Sequence, residues 1–488
     1  MYPDIREYMD EALFNTGYPH HADGVESKLF SSRTESVINL HFSWAEEYGI
    51  DCLALQRFYS ETVPERTKNY NTSHLSLVKN AAEKHNRMFY IMYDFSGAAR
   101  HGDAIIKGCS TDWQIHVEEA GLTESPNYAC MGGKKIVCLW GLAGVPGEGR
   151  YPNANHALGL VEWFKNKAYY VIGGYPDNDW VYGEGDYAAL YKSVDMASPW
   201  TVGRFSPGGA NEWWQPVYER EINYCDKNNI DYMPVIYPGF AWCSFNGGKA
   251  NMIPRKAGEF FWEQFAYLKK QGAEQLYLAM FDEYDEGTAF MKAAEDSTQI
   301  PMWGSYFQTL SVDGYWLSSD FYLRLAGEAG RVLKNEAPLT ETQPAPHSKG
   351  PVYWRNGFEY RGYENLSTNE REMGQVDVCL YDDGLISGEA SVEIVKKDIG
   401  SGKYALKITG SNGLYKVAKT KINCTKPLKL TWVSDTKHIN AGVLLANGDI
   451  IVAACGKEFT APCEICGILV YIREGEGYID DMELREIQ

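Results

Sequence analysis

Basic side chains are scarce in this chain: 46 Lys and Arg stand against 65 Asp and Glu in 488 residues, a formal net charge of −19. That balance opposes binding to nucleic-acid phosphates or to anionic lipid, both of which call for a positive field. Apolar runs of the roughly eighteen residues that a membrane helix requires are also missing. Residues 1–30 lack the basic start and apolar segment of a signal peptide, so a periplasmic or secreted location is expected only if a leader precedes this chain. No GxGxxG fingerprint opens the first helical segment, and GLAGVPGEG is too irregular to serve as a phosphate loop. The eleven cysteines form no even framework. Cys52 in IDCLAL and Cys138 in KIVCLW read as core thiols, while Cys463 and Cys466 have half of a metal motif without the other half. No metal or other cofactor is therefore expected.

Aromatic residues, by contrast, are plentiful at 14% of the chain, with 34 Tyr and 14 Trp. Flat apolar faces with polar edges suit sugar rings as well as cores. From about residue 33 to 335 amphipathic segments alternate with short apolar runs, the pattern of βα units around a parallel sheet. Seven strands are predicted, at 50–58, 87–95, 135–142, 168–174, 199–205, 231–239 and 275–283. The fold class expected is α/β, a (β/α)8 TIM barrel over 1–335 that lacks its first strand. A proline-rich linker follows at 336–352. Over 353–488 alternating strands are separated by turn residues, with ANGD and GSNG as hairpin turns, and an antiparallel jelly-roll sandwich is expected there.

Barrel chemistry gathers where strands end. Reading the end of each predicted strand yields Arg57, Asp94, Trp140, Tyr175, Arg204, Tyr237 with Trp242 just beyond, and then the acidic stretch FDEYDEGTAF with Asp282, Glu283, Tyr284, Asp285 and Glu286. Taken singly, each is more often a satisfied structural group than a ligand contact; together they describe a cleft suited to an oligo- or polysaccharide. Glycoside cleavage needs one acid to protonate the leaving oxygen and one carboxylate as nucleophile or base. Glu283 and Glu286, three apart on a turn, supply such a pair, and crowding raises the pKa of at least one member. A solvated acidic turn and an irregular calcium loop are the competing readings.

The stretch DEYDEGTAF resembles the glutamate, aromatic, any residue, glutamate, Gly-Thr motif of glycoside hydrolase families 71 and 99. YGIDCLALQRF, VCLWGL, YYVIGGYP, SPWTVGRF and YPGFAW are similar, in the same order, to bacterial proteins often labelled xylosidase/arabinosidase. The resemblance implies a retaining hydrolase of α-linked, mannan-like glycans acting as a monomer, with Glu283 as a base toward the sugar's 2-hydroxyl and Glu286 as general acid and base. Tyr284 and Asp285 replace the tryptophan and histidine common in that motif, and relatives carry a further aromatic strand before the equivalent of MYPDIREY. A non-catalytic glycan-binding protein and an exo-acting xylosidase or arabinosidase are the alternatives. SGKYALKITG and YIDDMELRE resemble strands of carbohydrate-binding modules, which implies sugar binding by the C-terminal region.

Overall fold

The computed structural model describes residues 1–487 except 22–23, 99–103, 143–153, 177–178, 205–210, 243–250, 302–306, 359–383 and 402–403. Most of GLAGVPGEG, the start of the helix expected from Asp103 and the end of the strand expected at 199–205 fall outside them.

Parallel strands follow one another in chain order: β1 Cys52–Phe58, β2 Met88–Asp94, β3 Lys134–Trp140, β4 Tyr170–Gly174 and β5 Met196–Ala197. The sixth expected strand is broken in two. Its first half, β6 Asp231–Tyr232, pairs with β5, and its second half, β7 Val235–Ile236, pairs with β8 Tyr277–Leu278. The fifth strand lies at 196–197 rather than 199–205, a correction that matters below. Helices α1 Glu35–Glu47, α2 Leu75–Lys84, α3 Ala104–Trp113, α4 Ala154–Asn166, α5 Asp186–Ser193, α6 Asn211–Asn228, α7 Glu259–Lys270 and α8 Phe321–Leu333 alternate with the strands. α8 shows why they pack: Phe321, Tyr322, Leu325, Ala326, Ala329 and Val332 recur at helical spacing and form its buried face. Phe260, Phe261, Trp262 and Phe265 do the same for α7, and burial of each such side chain stabilises the fold by roughly 1.5–3 kcal/mol.

Among the described residues no ladder joins β8 back to β1, so the sheet is not closed by strand pairing. The helix layer, however, does meet across the seam. A Cβ on Gly327 of α8 would lie 2.5 Å from the Tyr48 carbonyl at the end of α1, so only glycine permits that approach. Lys334 pairs with Asp51 at 2.5 Å beside it. The N-terminal residues run along the seam's upper edge: Pro3 bridges Ala293 in antiparallel sense, Asp4 N–H donates to the Lys292 carbonyl, and Tyr2 and Tyr8 are buried. Tyr8 stacks on Phe30, which belongs to a hairpin formed by Leu13–Asn15 and Lys28–Phe30.

Beyond Leu333 the pairing becomes wholly antiparallel. Strands β9 Val352–Asn356, β10 Leu385–Lys396, β11 Tyr404–Ile422, β12 Leu428–Ser434, β13 Ile439–Leu445, β14 Ile450–Ala453, β15 Glu458–Phe459 and β16 Ile465–Glu486 form one sheet. β16 organises it, pairing with β11 and β13 along its first half and with β12 and β9 along its second. ANGD is the expected hairpin turn, with Gly448 at φ 89°. GSNG is not: it lies within β11, where Asn412 at φ 47° marks an irregularity in the ladder. Added Cβ atoms at Gly410 and Gly413 would sit 1.8 and 2.3 Å from the Glu389 carbonyl, so these glycines serve strand contact rather than a turn.

The β region is fastened to the α/β region through charge. Arg355 of β9 pairs with Asp296 at 2.8 Å and Glu295 at 3.0 Å, and Arg6 pairs with the other Glu295 oxygen at 2.9 Å. Trp316 joins the core of the β sheet while its indole N–H donates to Asp296 at 2.9 Å. Burial pushes the Asp296 carboxyl up, but Arg355, Thr298 and Trp316 outweigh it and hold it below the usual range; at Glu295 burial prevails and the carboxyl stays raised.

Candidate active site

The acidic stretch begins directly after β8, and its backbone turns back on itself. Phe290 N–H donates to the Met280 carbonyl at 3.0 Å and Met291 N–H to the Phe281 carbonyl at 3.0 Å. Gly287 makes the bend at φ 68°, where a Cβ would lie 3.2 Å from Ala241 N, so the glycine of the motif answers both to backbone angle and to space. The Ala241 N–H donates to the Glu286 carbonyl at 2.8 Å, which anchors the neighbouring Trp242 loop to the turn. Underneath lies Arg255, 1% exposed, donating to the carbonyls of Gly287 at 2.6 Å and Ala289 at 3.0 Å. Its guanidinium also covers the Tyr322 ring at 4.4 Å. The N-terminal amine of Met1 donates to the Tyr284 carbonyl from the same side.

On this scaffold Glu283 is held by two backbone donors, Asp285 N–H at 2.8 Å and Glu286 N–H at 3.3 Å. Burial pushes its carboxyl up, while those donors pull the other way and the charges of Asp285 and Asp282 add to the rise. Glu286 is raised by burial and then by the charge of Glu283, with the Trp242 indole as its stabilising hydrogen bond. Asp282 is also raised by burial. It is nevertheless exposed to solvent. Three of the four carboxyls of FDEYDEGTAF are thus shifted toward the protonated form. A turn whose carboxylates were simply solvated would not show this.

The pleat sorts the other candidates. Asp94 pairs in register with Trp140, and Trp140 with Gly174, so Asp94 and Trp140 share the inward face. A Cβ on Gly174 would lie 2.5 Å from Trp140 Cδ1, which explains the glycine at that position: it makes room for the indole. Trp140 meets Trp200 edge-on at 5.5 Å, and Trp200 lies 6.3 Å from Tyr277. Burial raises the Tyr277 hydroxyl, and the charges of Cys138, Asp282 and Asp94 add to the rise. Trp242 is 37% exposed, beside Glu286.

Four expected substrate contacts, Arg57, Tyr175, Tyr237 and Tyr284, are engaged elsewhere, while Arg204 stays near the strand ends. Arg57 is turned into the helix layer, where Nε and Nη2 each donate to Asp112 at 2.8 Å and Nη1 donates to the Asn71 carbonyl. Tyr175 is fully buried between Trp180 at 4.8 Å and Tyr191 at 4.7 Å. Tyr237 is fully buried against Phe260 of α7. Tyr284 sends its hydroxyl to the Lys292 carbonyl at 3.1 Å and its ring toward Phe30. Arg204 donates to the Pro176 carbonyl. For Arg57, Tyr175 and Tyr237 the reason is phase: they follow the outward-facing parity of their strands, and nearly continuous apolar strands conceal that parity in the sequence. Trp200, Gln56 and Phe58, which do face the mouth, were passed over. For Trp200 the cause is the strand placed three residues too late; for Gln56 and Phe58 it is the arginine between them.

Among the described residues no group of three or more His, Cys, Asp or Glu side chains is arranged to hold a metal ion, and no helix is long and apolar enough to cross a membrane.

No family model matches the chain, and no curated protein matches it. Among solved structures it is similar to a GH99 endo-alpha-mannosidase from Bacteroides thetaiotaomicron, at 16% identity and TM-score 0.44 over 63% of this chain and 82% of that one. A "glycoside hydrolase-like protein" is similar at 14% identity and TM-score 0.44, over 66% of this chain and 91% of that one. A family 39 glycoside hydrolase from Bacteroides cellulosilyticus WH2 shares 11% identity at TM-score 0.35, over 91% of this chain and 78% of that one.

Proposed function

We propose that this protein is a glycoside hydrolase that cleaves α-linked, mannan-like glycans with Glu283 and Glu286 as its working carboxylates. The observation that carries the reading is the turn after β8: two glutamates on a bend fixed by Gly287, Arg255 and Ala241, both raised by burial, with an exposed Trp242 beside one of them. A general acid that works near neutrality must keep its proton above the ordinary carboxylate range. Glu286 meets that demand: as long as Glu283 is charged, loss of the Glu286 proton is opposed.

Glu283, held by two backbone N–H groups, is oriented to take a proton or attack, and Glu286 donates its proton to the departing glycosidic oxygen. In the retaining route implied by the motif, Glu283 deprotonates the sugar 2-hydroxyl as that oxygen closes on the anomeric carbon. The leaving sugar departs with the proton from Glu286. Water then opens the anhydro sugar, giving one proton to Glu286 while Glu283 returns its proton to the 2-oxygen, so both carboxyls are restored. Asp282, exposed on the turn, and Asp94, at the end of β2, are assigned to hydroxyl binding.

Purified protein incubated with α-mannan, xylan and arabinan, with products read by mass spectrometry, tests the substrate class. Glu283→Gln and Glu286→Gln should each lower turnover on the cleaved glycan by on the order of 10²–10⁴-fold with the fold intact. Undiminished turnover in both variants would refute the assignment. Binding without any product from the wild-type protein would favour the glycan-binding alternative.

A further inference from the structure

Two side chains on β1 face the mouth of the sheet and have no role in the chemistry above. β1 alternates exposed Gln56, buried Arg57 and exposed Phe58, the last 39% exposed. Register puts Gln56 opposite Met92 and Phe58 opposite Asp94, on the inward face that also carries Trp140. Gln56 Nε2 donates to Asp94 Oδ2 at 2.6 Å, and Ser96 N–H donates to Asp94 Oδ1 at 2.7 Å. The carboxylate is thereby clamped with its charge shared, and Gln56 itself is exposed. Asp94 pairs in register with Trp140, and Trp140 leads through Trp200 at 5.5 Å to Tyr277 of β8 at 6.3 Å, the strand from which the acidic turn follows.

An exposed aromatic face beside a fixed amide and carboxylate has a definite chemical complement. A pyranose offers an apolar C–H face for the ring and hydroxyls at its rim for the amide and the carboxylate. A nucleotide would fit less well, since the charges of Asp94 and Asp282 repel phosphate. β1 is an edge strand of the described sheet, but any strand added at that edge would pair through backbone groups and leave the inward face of Gln56 and Phe58 free.

The geometry points to Gln56 and Phe58 as a sugar-binding subsite, stacking and orienting one pyranose of the glycan at a distance from the bond that Glu283 and Glu286 cleave. This rests on the hydrolase reading and extends it to substrate recognition. These are binding residues, so their removal should raise KM and leave kcat nearly unchanged.

The test uses Glu286→Gln protein as a binding trap, titrated by calorimetry with soluble α-manno-, xylo- and arabino-oligosaccharides, with folding checked by circular dichroism. In that background Phe58→Ala should weaken binding of the preferred oligosaccharide about fivefold to tenfold, whereas Phe58→Tyr should stay within about twofold, as a preserved ring face requires. Gln56→Ala should weaken it by a smaller factor. If Phe58→Ala binds as tightly as its parent, the subsite is wrong while the hydrolase reading stands. If none of the three oligosaccharides binds the trap while wild-type protein also makes no product, the hydrolase reading fails and the subsite with it.

Discussion

The acidic turn after β8 and the surface of the antiparallel β region treat their carboxylates in opposite ways. In the first, Asp282, Glu283 and Glu286 are raised, each chiefly by burial. In the second, Glu476 and Glu486 are lowered, each by a surface lysine, Lys407 and Lys426. A protein that spends folding free energy to keep carboxyls away from water does so where their protons are used or their positions matter; one that pairs them at the surface gains solubility and little else. The difference sets the turn that we propose as catalytic apart from the surface pairs of the β region.

That contrast can be broken by substitution, starting with the largest expected effect on stability. Arg57→Leu strands Asp112 in a site where both side chains are almost fully buried, and should cost about 3–5 kcal/mol in chemical denaturation. Arg355→Leu removes the ion pair of Asp296 and one of the two ion pairs of Glu295 at the join between the regions and should cost less, because Arg355 is partly exposed and Arg6 still pairs with Glu295; a split into two unfolding transitions is the expected calorimetric signature.

Glu221 comes next. It lies on α6, fully buried, accepting from Trp180 Nε1 at 2.9 Å and the Tyr232 hydroxyl at 2.6 Å, and burial raises its carboxyl to about 7. Because the folded value exceeds the unfolded one, the native state binds the extra proton between them. Stability from this group is present at low pH and lost as pH rises from about 4.5 through about 7. Glu221→Gln should therefore flatten the fall of Tm over that window and stabilise the protein at pH 8 by on the order of a few kcal/mol. An unchanged pH profile would contradict a carboxyl raised by burial at this position. Smallest of all is Lys407→Ala, which removes an exposed partner of Glu476 and should leave Tm within experimental scatter.

How much of this was legible in the sequence differs between element and orientation. The order of strands and helices, the change to antiparallel pairing beyond Leu333 and the acidic turn after LYLAMF all follow from patterns a few residues long. Which way a side chain points does not. LALQRFY carries no alternation to show that Arg57 faces Asp112 while Gln56 and Phe58 face the mouth, and the same loss of phase misplaced Tyr175 and Tyr237. GSNG misled for a related reason. Its residues suit a turn, but the close approach of the Glu389 backbone demands the same glycines within a strand. Arg255 was invisible because its partners, the carbonyls of Gly287 and Ala289, lie more than thirty residues away in the chain.

The central claim, that the raised pair after β8 cleaves glycans while the paired carboxylates of the β region do not take part, is tested most directly by three proteins side by side: wild type, Glu286→Gln and Glu486→Gln, each incubated with α-mannan and followed by mass spectrometry of released oligosaccharides. Wild type and Glu486→Gln should release the same products at matching rates, and Glu286→Gln should release essentially none. Equal release by all three, or loss of product only in Glu486→Gln, would contradict it.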